Sequence, residues 1–169
     1  GVSYEYAVYS FDSLYNYSNA IINSGTPGAG GGAPAARFVE VATGLEHACG
    51  RTVGGRVFCW GKNESGQLGL ADTNNRIVPA EVSYAAIVGD TEFIGIAAGN
   101  AHTCGITSAG QLYCWGKDNN GQLGDSSAFA DQSSAVAVNT SGLAGAHDFK
   151  SVHAGGDYTC AVATDGKVA

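Results

Sequence analysis

The sequence predicts an all-β fold built from tandem copies of a unit of about four short antiparallel strands, and three observations carry that reading. First, only 14% of the 169 residues are charged and 26 are Gly, against averages of about 25% charged and 7% Gly. Few charges and many glycines suit short strands and tight turns better than helices. Second, the segments FVEVATGLEHACG, FIGIAAGNAHTCG and FKSVHAGGDYTCA begin at Phe38, Phe93 and Phe149, in steps of 55 and 56 residues. The match runs on through CGRTVGGRVFCWGKNESGQLG and CGITSAGQLYCWGKDNNGQLG, where 12 of 21 positions are identical without a gap. A fixed period of this size marks a repeat architecture. Third, the hydrophobic period inside each copy is two, which is the signature of a strand.

Along the chain, residues 1–23 come first and hold Tyr4, Tyr6, Tyr9, Tyr15 and Tyr17. Val2, Tyr4, Tyr6 and Val8 alternate with Ser3, Glu5 and Ala7, which reads as a strand. It is either a decayed copy of the repeat or a free strand able to add to an exposed sheet edge. Residues 24–37 contain the run SGTPGAGGGAPAA, a Gly/Pro/Ala-rich linker or long surface loop. Repeat 1 then spans 38–92, repeat 2 spans 93–148, and a partial repeat 3 spans 149–169.

Within repeat 1, Val39 and Val41 alternate with Glu40 before a turn at Gly44. The run from His47 to Thr52 passes through Val53-Gly54-Gly55 into Arg56–Trp60, a hairpin. Its second and third copies turn at Ser108-Ala109-Gly110 and Thr164-Asp165-Gly166. A three-residue hairpin loop wants a left-handed residue at its third position, and all three copies place Gly there. A fourth strand is predicted near Pro79–Tyr84 and again near Ser134–Asn139. Four strands per 55 residues is the arithmetic of a propeller blade. Blade cores are expected to use Val41, Val57, Trp60 and Leu68, with equivalents Ile96, Leu112, Trp115 and Leu123.

A Gly, a His two or three residues on, and a hairpin closing on Trp-Gly and Gly-Gln-Leu-Gly together resemble the regulator-of-chromosome-condensation repeat, a β-propeller family. His47 and His102 match the family His, and Trp60-Gly61 and Trp115-Gly116 match its aromatic–glycine step. Gly66-Gln67-Leu68-Gly69 and Gly121-Gln122-Leu123-Gly124 match its most characteristic tetrapeptide. The resemblance covers roughly residues 38–169, and Tyr158 replaces the His in the third copy. Family members usually close a ring of seven blades, and this chain holds material for fewer than three.

Cys49 and Cys59 stand ten residues apart, as do Cys104 and Cys114. Counted outward from the loop centres at Gly54 and Ala109, each pair faces across the hairpin, within disulfide reach. Cross-strand disulfides are therefore expected. Buried free thiols packed as small hydrophobes are the alternative. A metal site fits poorly, because its ligands usually come two to four residues apart. Disulfides persist in oxidising compartments, so an extracellular, cell-surface or periplasmic address is expected, and with it a secreted prokaryotic type of the family. Cys160 is left unpaired, and the same spacing puts its partner at position 170, beyond Ala169. With no Met in the chain, the sequence is expected to be a portion of a longer one. The rival reading is that another chain supplies the missing strands.

No catalytic residue, cofactor site or metal site is expected. His47 and His102 occupy equivalent repeat positions, which points to a structural role shared by every blade. His147 and His153 belong to no constellation. Asp72, Asp118, Asp125 and Asp131 sit in loops rich in Asn and Ser but lack calcium-loop spacing. No phosphate loop or nucleophile elbow is present. Trp60 and Trp115, each beside a cysteine, read as packing between blades and not as a ligand platform. Glycosylation sequons begin at Asn16, Asn63 and Asn139. A net charge of −7 with eight unclustered basic residues argues against nucleic acid, which needs Lys and Arg on its phosphates. No apolar run is long enough to span a membrane.

The function expected is a non-catalytic module that binds a protein or a surface glycan through loops 70–78 and 125–133, where the copies differ most. The alternative is a structural subunit of an extracellular fibre or surface layer. Its homo-oligomer would form by strand complementation through the open third blade and the N-terminal strand.

Overall fold

The structure, a computed structural model, describes residues 37–142 and 148–169. The tyrosine-rich segment at 1–23, the linker up to residue 36, the sequon at Asn16 and His147 lie outside the described residues. Residues 38–169 form one compact unit.

Alternating apolar residues and left-handed turns produce two four-stranded antiparallel sheets. The first is β1 (Phe38–Thr43), β2 (His47–Thr52), β3 (Val57–Gly61) and β4 (Arg76–Glu81), in that spatial order. The second is β5 (Phe93–Ala98), β6 (His102–Thr107), β7 (Leu112–Gly116) and β8 (Gln132–Ala137), again in chain order. A third sheet pairs β9 (Phe149–Gly155) with β10 (Tyr158–Ala163). These are blades 1, 2 and the start of 3. The hairpin glycines Gly55, Gly110 and Gly166 have φ of 72°, 77° and 88°, a region a side chain rarely enters.

The fourth strands begin earlier than the sequence predicts, at Arg76 and Gln132 instead of Pro79 and Ser134. The residues expected to extend them are used elsewhere. Ser83 turns away to donate its N–H to the Gly69 carbonyl, and the Tyr84 hydroxyl accepts the N–H of Val57. In blade 2, Asn139 donates to the Gly124 carbonyl in the same way.

Each blade buries one face against its neighbour. The face of blade 1 that bears Cys49, Val57, Cys59 and Leu68 packs on Phe93, Ile96, Tyr113 and Trp115 of blade 2. The equivalent face of blade 2, with Cys104, Leu112, Cys114 and Leu123, packs on Phe149, Val152, Ala161 and Ala163 of blade 3. Burying such large apolar side chains contributes roughly 1.5–3 kcal/mol each, so the blade junctions are the hydrophobic core. Phe93 and Trp115 meet edge to face at 6.2 Å within the first junction.

Val57, Trp60, Leu68, Ile96, Leu112, Trp115 and Leu123 are all buried. Val41 is not: it is 48% exposed, whereas its equivalents Ile96 and Val152 are 6% and 8% exposed. The alternation of β1 is the same as in β5 and β9. Ile96 and Val152 are covered by the blade before them, and no described blade precedes Val41.

Candidate interaction surface at the blade junctions

The repeat-specific residues converge on the junctions. His47 begins β2 and lies over the tight turn at Gly44, where a Cβ would stand 2.4 Å from its Nδ1. Its Nε2 is 2.8 Å from Oγ1 of Thr103 in blade 2. The Thr103 hydroxyl donates to the carbonyl of Gln67 back in blade 1, at 2.9 Å. Because that single hydroxyl proton is used, the imidazole must donate through Nε2. This leaves Nδ1 a lone-pair nitrogen without a partner.

The next junction repeats the clasp atom for atom. His102 Nε2 is 2.9 Å from Thr159 Oγ1, which donates to the Gln122 carbonyl at 2.9 Å. Burial, and secondarily His102, lowers the pKa of His47 to about 4. His102 is also lowered, chiefly by burial. Both shifts favour the neutral ring, and a neutral ring that donates through Nε2 carries its lone pair on Nδ1. Each ring links one blade to the next.

The disulfides lie beside the clasps. Cys49–Cys59 and Cys104–Cys114 are bonded across β2–β3 and β6–β7, each with Cα atoms 4.1 Å apart. All four cysteines are fully buried. Cys160 is a free, exposed thiol on β10.

The Gly-Gln-Leu-Gly turn shapes the same junction. Gln67 Oε1 accepts the N–H of Ser65, and Gln122 Oε1 that of Asn120. Leu68 and Leu123 fill the core. Gly66 has φ of 80°, and a Cβ there would lie 2.5 Å from Ser133 Cα of blade 2. Gly69 has φ of 69°, and its Cβ would stand 2.8 Å from the indole nitrogen of Trp115. Gly121 and Gly124 are exposed instead of buried. Around them only Phe129 and Val138 of their own blade come near.

Other residues carry weight that sequence reasoning missed. Thr103 and Thr159 complete the clasps, yet they read as ordinary strand residues until the fold brings the preceding His to them. Buried Asn63 accepts the Leu68 N–H and donates its amide to Asp72. In blade 2 the polarity is exchanged: Asp118 accepts the Leu123 N–H and also takes the hydroxyl of Ser127. The sequon at Asn63 is thus fully buried and committed, while Asn139 is exposed. Asp72, Asp125 and Asp131 likewise cap backbone N–H groups. Among the described residues no group of acids, His and Cys could hold a metal ion, and no helix is long and apolar enough to cross a membrane.

Two surface features remain open. One is the 125–133 loop, where Phe129 is 64% exposed and holds φ of 57°, an uncommon backbone state for a bulky residue. The other is a cleft of about 340 Å³ where the three blades meet, with Leu45, Lys62, Gln67, Asn100, Lys117 and Asp157 among its lining residues.

Comparison with known proteins agrees with this geometry. The model described as "Regulator of chromosome condensation (RCC1) repeat" matches residues 54–106 and 109–162. A second model of the same description matches 38–67 and 93–122. The ultraviolet-B receptor UVR8 of Arabidopsis thaliana is 38% identical over 88 residues, covering 52% of this chain and 19% of the receptor. The secretion-regulating guanine nucleotide exchange factor of Bos taurus is 33% identical over 103 residues, covering 55% of this chain and 21% of that protein. The chain thus spans about a fifth of the length of these curated relatives. Among solved structures, human WBSCR16 superposes with a TM-score of 0.70 at 22% identity, over 79% of this chain and 32% of that one. Prp20p of Saccharomyces cerevisiae gives 0.64 at 17% identity, over 76% and 31%. With family models matching well over half of its residues and the blade geometry in agreement, the chain belongs to the regulator of chromosome condensation (RCC1) repeat family.

Proposed function

We propose that this chain is part of an extracellular, cell-surface or periplasmic propeller of a secreted prokaryotic type, which binds a protein or a surface glycan and catalyses no reaction. The observation that carries the reading is the contrast between a His–Thr–Gln clasp repeated at both junctions and loops 70–78 and 125–133 that differ in sequence and in the side chains they expose. The His–Thr–Gln clasp is the same in both junctions. The loops, by contrast, place Thr73, Asn74 and Asn75 at the surface of blade 1 and Phe129 at that of blade 2. A constant scaffold with divergent exposed loops suits recognition. Two disulfides support an oxidising compartment. A protein partner is supported as a class by the family: Prp20p binds Gsp1p and histones, and yeast RCC1 binds Kap60. The buried histidines and Asp118 are all engaged in structural hydrogen bonds, which supports a non-catalytic role.

The test is binding of the purified chain to intact source cells and to immobilised surface glycans. Replacing 125–133 with a Gly/Ser loop of equal length should lower binding at least about tenfold, the effect of losing roughly 1.4 kcal/mol of contact. Undiminished binding by that variant overturns the reading.

A structural subunit of a fibre or surface layer, assembled by strand complementation, is the second reading. It is motivated by the tyrosine-rich segment at residues 1–23 and by the low share of charged residues, 14%. Removal of residues 1–23 should abolish assembly under this reading and leave a monomeric binder unaffected.

A further inference from the structure

Two of the sequons fall within the described residues, and the fold treats them in opposite ways. Asn63, in Asn63-Glu64-Ser65, is fully buried. Its amide nitrogen donates to the carbonyl and the carboxylate of Asp72, at 2.9 and 3.2 Å. Its Oδ1 accepts the Leu68 N–H at 2.9 Å. A sugar on that nitrogen would find no room, and it would break the turn that seats Leu68 in the core. A chain modified at Asn63 could not adopt this fold.

Asn139, in Asn139-Thr140-Ser141, stands exposed just past the end of β8. Its main chain is fixed, because its N–H donates to the Gly124 carbonyl at 2.8 Å. Its Oδ1 accepts the N–H of exposed Ser141 at 2.9 Å. This Asx turn sets the first and third residues of the sequon side by side at the surface. The Asn139 Nδ2 donates to the Ser126 hydroxyl at 2.8 Å. A primary amide carries two hydrogens, and the second makes no hydrogen bond to a described residue. That hydrogen can be replaced while the contact to Ser126 stays in place.

We propose that Asn139 is a site of N-linked glycosylation and that Asn63 is left unmodified. The proposal rests on the extracellular, cell-surface or periplasmic reading above, since it is in secreted proteins that surface sequons are used. The donor is a lipid-linked sugar phosphate, brought by a transferase of the source. A bond forms between Asn139 Nδ2 and the anomeric carbon of the sugar. The bond from that carbon to the phosphate oxygen breaks, its electron pair leaves with the phosphate, and the amide gives up one proton. The N–H that remains still donates to Ser126. Because Ser126 belongs to the 125–133 loop, the sugar stands beside that loop.

The test is made on the chain isolated from its source, denatured, digested with trypsin and weighed peptide by peptide. Peptides 63–76 and 118–150 each hold one of these sequons and no cysteine. Peptide 118–150 should carry the added mass of a sugar chain on Asn139, and peptide 63–76 should be bare. Ser141→Ala, produced in the source, removes the sequon hydroxyl and keeps Asn139, and it should abolish the added mass. Ser141→Thr should retain it, and Ser65→Ala should change nothing. A bare peptide 118–150, sugar on peptide 63–76, or added mass that survives Ser141→Ala would each overturn the proposal. The cysteines report on the address separately. A bare peptide 118–150 from protein whose four paired cysteines are oxidised removes the glycan and leaves the extracellular reading standing.

Discussion

At the residue scale, each junction is held by a shared set of hydrogen bonds. Thr103 is fully buried and serves two groups at once, the imidazole of His47 and the carbonyl of Gln67. Thr103→Val keeps the shape and strands both partners, so it should cost about 2 kcal/mol, read as a lower midpoint in urea unfolding with an unchanged slope. The histidines add a pH dependence whose sign follows from burial. With a folded pKa of about 4 against 6.5 unfolded, the unfolded state binds more protons between those values. The His47 contribution is therefore complete above pH 6.5 and is lost as pH falls toward 4, about 3 kcal/mol over the window. His102 acts in the same direction. Urea midpoints measured from pH 7.5 to 4 should fall steadily, and replacing His47 with Gln should flatten that fall. Each His stood out in the sequence by its repetition. Its partner did not, because Thr103 is 56 residues away from His47 and only the packing of one blade on the next brings them together.

At the scale of the element, period-two alternation and the hairpin glycines located β1–β3 and β5–β7, and the count from the loop centres paired the cysteines across them. The outer strands were legible only in outline. Val82 and Tyr84 look like strand residues, yet Val82 is buried in the core and the Tyr84 hydroxyl receives the Val57 N–H. The Gly-Gln-Leu-Gly turn shows why its glycines are required in blade 1. At Gly69 a left-handed φ and the Trp115 indole leave no room for a methyl group. Gly69→Ala should cost about 2–4 kcal/mol, the sum of backbone strain and overpacking. Gly124→Ala should be milder, because a Cβ there meets only a Val138 methyl group at 3.3 Å. Thermal midpoints of the two variants give the comparison, and equal losses would show that backbone strain alone decides.

At the scale of the molecule, hydrophobic periodicity tells which side of a strand is apolar but not what lies against it. Val41, Ile96 and Val152 share one pattern, and only the latter two are covered. The three-blade cleft was equally invisible in the sequence, since its lining comes from turns about 55 residues apart. The account as a whole depends on an oxidising compartment, because both buried disulfides sit inside the blade junctions that hold the molecule together. The most direct measurement is made on protein isolated from its source, denatured in iodoacetamide without reductant, digested and weighed peptide by peptide. The account predicts Cys49 linked to Cys59 and Cys104 to Cys114, all four free of alkylation. Alkylation of those four cysteines would mean reduced thiols in the native protein, and would contradict an extracellular, cell-surface or periplasmic address.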